Sequence, residues 1–204
     1  MAGLFVTFEG IEHCGKSTQS ELLAEHLRLL GRKVTLTREP GGTPLGKTIR
    51  ELVLHSNHDV ATLSELLLFA ADRAQHVEQL IRPALAAGEI VISDRFADST
   101  RAYQGFGRGI STELIDRTIA LATTGLDPHL TILMDIDVAT SRERGDDTTD
   151  RIEQDTDEFF ERVRQGFLTI AAETSQRTNV IDGTLPIETV SGHIREIIDT
   201  YLND

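Results

Sequence analysis

A chain of 204 residues with 39% hydrophobic residues can bury the core of one domain, read here as residues 1–204. The formal charge of −13 excludes a general nucleic-acid-binding surface, which would repel a polyanion, but a few focused arginines can still hold a small phosphate inside an acidic protein. One cysteine closes no internal disulfide, the histidines lack zinc-ligand spacing, and no apolar run has the length of a membrane helix or the flanks of a secretory signal. The expectation is a soluble, cytoplasmic protein with no structural metal and no membrane partner.

Leu4 to Phe8 is a short apolar run of strand character. Gly10-Ile11-Glu12-His13-Cys14-Gly15-Lys16-Ser17, followed by Thr18, fits the phosphate-binding pattern G-x-x-x-x-G-K-[ST] between that strand and an amphipathic helix. Gly10 and Gly15 permit the tight path whose N–H groups, with the helix N-terminus, hold the phosphates of ATP. Lys16 neutralises charge at the β/γ position and Ser17 is the Mg²⁺ ligand. Cys14 reads as a tolerated small residue rather than an activated thiol. The helix from Lys16 to Leu30 sets Leu23, Leu27 and Leu30 on one face and is closed by Gly31.

Val34 to Thr37 is the second strand candidate. A long helical stretch from about Ser64 to Ala87 contains Pro83, which should kink or end it, with Gly88 as a stop. Ile90 to Ser93 is the third strand, and Asp94-Arg95 stands at its C-terminal end, where ligands gather in parallel sheets. Asp94 is placed there to act near Mg²⁺. Ser111 to Thr123 reads as a helix, Thr131 to Asp135 and Asn179 to Ile181 as strands, and the polar piece Gly145 to Asp150 as a mobile segment. Pro186 opens the last helix, marked by Ile187, Val190, Ile194, Ile197, Ile198 and Tyr201. Strands alternating with helices predict an α/β P-loop NTPase fold: a doubly wound, five-stranded parallel sheet.

Six segments in order along nearly the whole chain resemble thymidylate kinases: Phe5 to Gly10 running into the P-loop, Arg38-Glu-Pro-Gly-Gly-Thr43, Leu68-Phe-Ala-Ala-Asp-Arg73, Asp94-Arg-Phe96, Ser99-Thr-Arg-Ala-Tyr-Gln-Gly105 and Asp150-Arg-Ile-Glu153. The resemblance implies phosphoryl transfer from Mg·ATP to dTMP. It assigns Arg50 and Arg95 to the acceptor phosphate, Arg38 to the acceptor site, Phe69 to the thymine ring and Arg73 to thymine O4. Thr100 and Gln104 fall near the base edge, Tyr103 against the deoxyribose, Glu12 near the 3′-hydroxyl, and Leu54 and Pro40 become apolar walls. Spacing alone reads Phe69 as core, because it ends Leu66-Leu67-Leu68. The resemblance also implies a homodimer.

Members of this family take the arginine that meets the moving phosphoryl group from the P-loop or from a lid after the fourth strand. His13 stands where the first subclass has arginine, so the lid, Ser141 to Gln154, supplies it here. Arg151 is the first choice, Arg142 the second, and Arg144 lies between them. Asp146, Asp147 and Asp150 would repel a triphosphate and are expected to face solvent. His13 reads as a loop residue facing solvent, with imidazolium catalysis as the other reading. Two further readings stay open: a deoxynucleoside kinase using Glu39 as base, and a P-loop protein that binds nucleotide without turnover.

Overall fold

The protein is described by a computed structural model covering residues 3–56, 58–145 and 150–203. Strands β1 (Leu4–Glu9), β2 (Val34–Arg38), β3 (Ile90–Asp94), β4 (Leu130–Asp135) and β5 (Thr178–Asp182) form one parallel sheet in the order β2-β3-β1-β4-β5. The expected doubly wound sheet is present, and each strand runs slightly further than its apolar core suggests. β1 and β3 are buried along their whole length, which is why they read as continuous runs rather than alternating ones. Inside the sheet, Thr7 and Thr131 satisfy each other's hydroxyls at 2.9 Å.

The chain leaves β1 toward β2 and β3 on one side and later fills β4 and β5 on the other. A crevice therefore opens beyond the C-terminal ends of β1 and β3. Register makes this local: Phe8 lies beside Asp94, so the turns after both strands start at the same height.

Helix α1 (Lys16–Leu29) follows the P-loop. Leu23 and Leu27 are buried as expected, but Leu30 is 56% exposed, because the chain leaves the helical turn there and Gly31 takes a φ of 76°. Helix α2 (Pro44–Leu54) has Pro44 in its first turn, and Thr43 Oγ1 caps it by accepting from the Gly46 amide at 3.0 Å. The long run expected from Ser64 to Ala87 starts at Thr62 and consists of α3 (Thr62–His76), a π-helical turn (Val77–Ile81) and α4 (Arg82–Ala86). Pro83 neither ends nor breaks the run. The wider turn before it absorbs the missing N–H and the bulk of the ring.

After β3 come α5 (Ala97–Thr100) and a second π-helical turn (Arg101–Gly107), then α6 (Thr112–Thr123), α7 (Val138–Arg144), α8 (Asp157–Glu173) and α9 (Ile187–Asn203). In α9, Val190, Ile194 and Ile198 are buried. The larger hydrophobic cluster joins α1, α8 and α9 to β1 and β4; a second, around Phe5, Leu66, Phe96 and Ile115, lies under α3 and α6.

Candidate active site

The loop between β1 and α1 is bent by backbone conformations that side chains disfavour: φ is 137° at Gly10, 56° at His13 and 94° at Gly15. A Cβ on Gly10 would run into the Met134 carbonyl, so this position needs glycine for close approach as well. Gly15 precedes α1 without any side-chain cap, leaving the first-turn N–H groups free for an anion. Lys16 Nζ donates to Ile11 O at 2.6 Å and touches Cys14 Sγ at 3.4 Å, a resting position inside the loop. Cys14 and Ile11 are buried and support the loop from below, whereas Glu12, His13, Gly15, Lys16, Ser17 and Thr18 line the cavity. His13 thus borders the site rather than pointing wholly to solvent, with Glu153 3.9 Å away.

Ser17 Oγ donates to Asp94 Oδ2 at 2.5 Å. A hydroxyl and a carboxylate, both hard oxygen ligands, suit Mg²⁺, which takes few protein ligands and fills its octahedron with phosphate oxygens and water. The donor set therefore fits the ion that the P-loop implies.

Arg95 has a φ of 73°, a strained value for a residue with a side chain. Its amide donates to Phe8 O at 2.9 Å, and Ser93 Oγ donates to its carbonyl at 2.7 Å, which together hold that conformation. The guanidinium reaches Gly10 O at 2.9 Å, Glu12 Oε1 at 2.8 Å and Ser99 Oγ at 3.2 Å, and it lies over the Tyr103 ring. The Tyr103 hydroxyl donates to Glu12 at 2.7 Å. Across the cavity stand Arg50, Arg38 and Pro40. Burial, and then the like charge of Arg38, lowers the Arg50 guanidinium from its ordinary value. Crowded cations of this kind mark a place for an anion.

Leu54, Phe69, Arg73, Thr100 and Gln104 close the far end of the same cavity, whose volume is ≈ 410 Å³. Phe69 serves both readings, packing partly buried against the core while facing the cavity. Arg73 is 2% exposed and donates to Glu39 Oε2, Thr100 Oγ1 and Phe96 O, each at 2.8 Å. Glu39 receives His76 Nδ1 on its other oxygen at 2.9 Å. One oxygen of Glu39 is thus taken by Arg73 and the other by His76, so the arrangement gives no support to Glu39 as the base of a nucleoside kinase.

The lid segment needs correction in geometry. Arg142 is turned outward onto Asp157, Glu153 O and Asp155 O, and Arg151 is tied to Val53 O at 3.0 Å and to Glu65 at 2.5 Å. Neither lines the cavity; Arg144 does, resting on Gly183 O at 2.9 Å. Helical spacing explains the swap, since Arg142 and Arg144, two apart on α7, cannot share a face. Asp146 and Asp147 lie outside the described residues, while Asp150 borders the cavity rather than solvent alone. In the sequence Ser99 stands out only as the start of a resembling segment and Arg144 only as one of three lid arginines. Only Glu65 carried no sequence signal.

The thymidylate kinase family model matches residues 8–194. The chain is 48% identical over 207 residues to a thymidylate kinase of a Nostoc species, covering 99% of this chain and 98% of the relative. It is 49% identical over 208 residues to one of Bifidobacterium longum subsp. infantis, covering 100% and 89%. The crystal structure of thymidylate kinase from Ehrlichia chaffeensis superposes with a TM-score of 0.81 at 38% identity, over 97% of this chain and 99% of that one. With the predicted P-loop α/β fold observed and these likenesses spanning the chain end to end, the protein belongs to the thymidylate kinase family.

Proposed function

We propose that this chain, acting as one kinase domain, phosphorylates dTMP to dTDP with ATP as donor, a step toward dTTP. The observation that carries the reading is continuity: one cavity joins the P-loop of Lys16 and Ser17, the cations Arg38, Arg50 and Arg95, and a wall of Phe69, Arg73 and Gln104. Those are the three needs of a nucleoside monophosphate kinase: a donor cradle, an acceptor-phosphate clamp and a base recess.

The acceptor needs no general base, because a phosphate monoester is largely dianionic near neutral pH, with a second pKa of about 6. Arg50 and Arg95 hold that dianion in line with the donor, and Lys16 leaves its loop carbonyl to meet the β/γ oxygens. Mg²⁺, held by Ser17 and through Asp94, supplies charge neutralisation across the donor phosphates when bound. Arg144 is the lid cation that reaches the transferred group, and its segment keeps water out. Glu12 and Tyr103, linked to Arg95, meet the sugar, where the ring of Tyr103 leaves no room for a ribose 2′-hydroxyl.

The working form is a cytoplasmic homodimer. Leu45 and Leu52 on α2, Leu63 and Leu67 on α3, and Leu121 on α6 are each at least half exposed on three helices that pack side by side, an apolar face suited to a second copy. Light scattering at micromolar concentration should give twice the chain mass. No helix among the described residues is long and apolar enough to cross a membrane.

ADP release from Mg·ATP, measured against dTMP, dUMP, UMP, CMP, AMP, GMP and thymidine, tests the substrate. Preference for dTMP is expected. Turnover of thymidine in place of dTMP would make the chain a nucleoside kinase, and ATP binding without turnover of any acceptor would make it a non-catalytic nucleotide binder.

A further inference from the structure

Gln104 is 2% exposed, and its Nε2 donates to Glu65 Oε1 across 2.9 Å. A primary amide has a donor end and an acceptor end of nearly the same shape, so packing alone does not decide which one faces a ligand. Its partner decides it. Glu65, on α3, is 1% exposed, and a carboxylate only accepts. The amide NH₂ must therefore turn toward Glu65. The side-chain oxygen Oε1 of Gln104, which receives no hydrogen bond from a described residue, is left as the polar edge offered to the cavity.

This holds only while Glu65 is ionised and immobile. Burial opposes the charge, but hydrogen bonds from Gln104 and Arg151 and the charge of Arg108 outweigh it and hold the carboxyl below its ordinary range. Its direction is fixed by Arg151 Nη2 at 2.5 Å on Oε2 and Arg108 Nε at 3.2 Å on Oε1. Both arginines are anchored independently, Arg151 on Val53 O and Arg108 on Asp155.

We propose that Glu65 is a positioning residue for base specificity: by taking the NH₂ of Gln104 it makes the base wall present an acceptor beside the donors of Arg73. The inference rests on the dTMP reading above. Thymine offers an acceptor at O4 and a donor at N3–H, which match Arg73 and the Gln104 oxygen. Cytosine offers an NH₂ donor at position 4 and an acceptor at N3, so both contacts become repulsive. A carboxylate outside the ligand's reach thus selects between two bases of the same size.

The test compares kcat/KM for dTMP and dCMP in the parent chain, in Glu65→Gln, in Gln104→Met and in the double variant. In Glu65→Gln the new amide gives its oxygen to Arg151, the shorter contact, and its NH₂ to Gln104, which must turn over to accept. The dTMP:dCMP ratio should fall about tenfold or more, because a buried donor now faces N3–H. The fall should appear in KM for the monophosphate with KM for ATP unchanged, and Glu65→Gln should add nothing once Gln104 is methionine. A ratio undiminished by Glu65→Gln, or a fall repeated in full in the Gln104→Met background, overturns the inference while leaving the dTMP reading intact. A parent chain with no preference for dTMP overturns that reading and the inference with it. If Glu65→Gln does not fold, Glu65→Asp makes the same comparison, since it keeps the charge beside the arginines but withdraws the oxygen from Gln104 by one methylene.

Discussion

The two ends of the cavity are built differently. The donor end is one continuous piece of chain, Gly10 to Thr18, whose working groups are mostly backbone N–H groups and a helix start without a side-chain cap. The acceptor end is assembled from side chains: Glu39 after β2, Arg50 and Leu54 of α2, Glu65, Phe69 and Arg73 of α3, and Thr100 to Gln104 after β3. A backbone cradle rests on glycines at set intervals and on the two side chains of Lys16 and Ser17, so few positions in it are critical. A side-chain wall is held by cross-ties, and removing one partner leaves another buried and unpaired.

The largest expected effects lie where both ends meet the moving phosphoryl group. Lys16→Ala and Arg95→Ala should each lower kcat by roughly three orders of magnitude or more, the scale of losing a cation preorganised for transition-state charge. Thermal melting should separate them. Lys16→Ala leaves the fold nearly unchanged, while Arg95→Ala also leaves Glu12 short of a partner and raises KM for dTMP. Full activity in either variant would remove the chemistry from this cavity.

Next in size is Arg73→Met, which strikes the acceptor end alone. Its guanidinium makes three hydrogen bonds at 2.8 Å, and Glu39, 4% exposed, would lose one of its two partners. We expect a loss of about 100-fold in kcat/KM for dTMP and a stability loss of about 3 kcal/mol from the uncompensated buried carboxylate, with KM for ATP unchanged. A stability loss without the kinetic one would make Arg73 a structural tie only.

Smaller still is the contrast within the lid. Arg144→Ala should lower kcat by about 10- to 100-fold with little change in the melting temperature, because its side-chain hydrogen bond among the described residues goes to the Gly183 carbonyl. Arg142→Ala should lower the melting temperature and leave kcat closer to the parent, since its donors join α7 to Glu153, Asp155 and Asp157. The reverse pattern would return the catalytic role to Arg142.

This asymmetry also explains what could be read from the sequence. Local rules sufficed for the P-loop, the parallel strands and α9, where Val190, Ile194 and Ile198 repeat at helical spacing. They carry α1 one residue too far, to an exposed Leu30, and expect Pro83 to kink or end a run that continues through a π turn. At the acceptor end, spacing reads Phe69 as core and the family resemblance reads it as a base contact, and the side chain both packs on the core and lines the cavity. Glu65, on which Gln104, Arg108 and Arg151 converge, was invisible. Its three partners come from segments about 40 to 90 residues away, and a cross-tie between distant segments leaves no periodicity in a single sequence.

The smallest effect concerns stability and belongs to the support of the acceptor wall. Asp72 is 1% exposed, accepts from the Gly41 amide at 3.0 Å through one oxygen, and leaves Oδ2 without a partner among the described residues. Burial, followed by the charge of Glu39, raises its carboxyl from 3.8 to about 6. Between those values the folded chain keeps a proton that the unfolded chain releases. The stability this contributes is therefore fully present below about pH 4 and is lost as pH rises through about 6. Asp72→Asn keeps the acceptor for Gly41 and cannot ionise, so it should remove that slope. Relative to the parent, the variant should gain about 1.4 kcal/mol in urea denaturation between about pH 5 and pH 8, with little difference below pH 4. A gap independent of pH would mean that Asp72 is already ionised at pH 5 and that the wall behind Gly41 tolerates a buried charge.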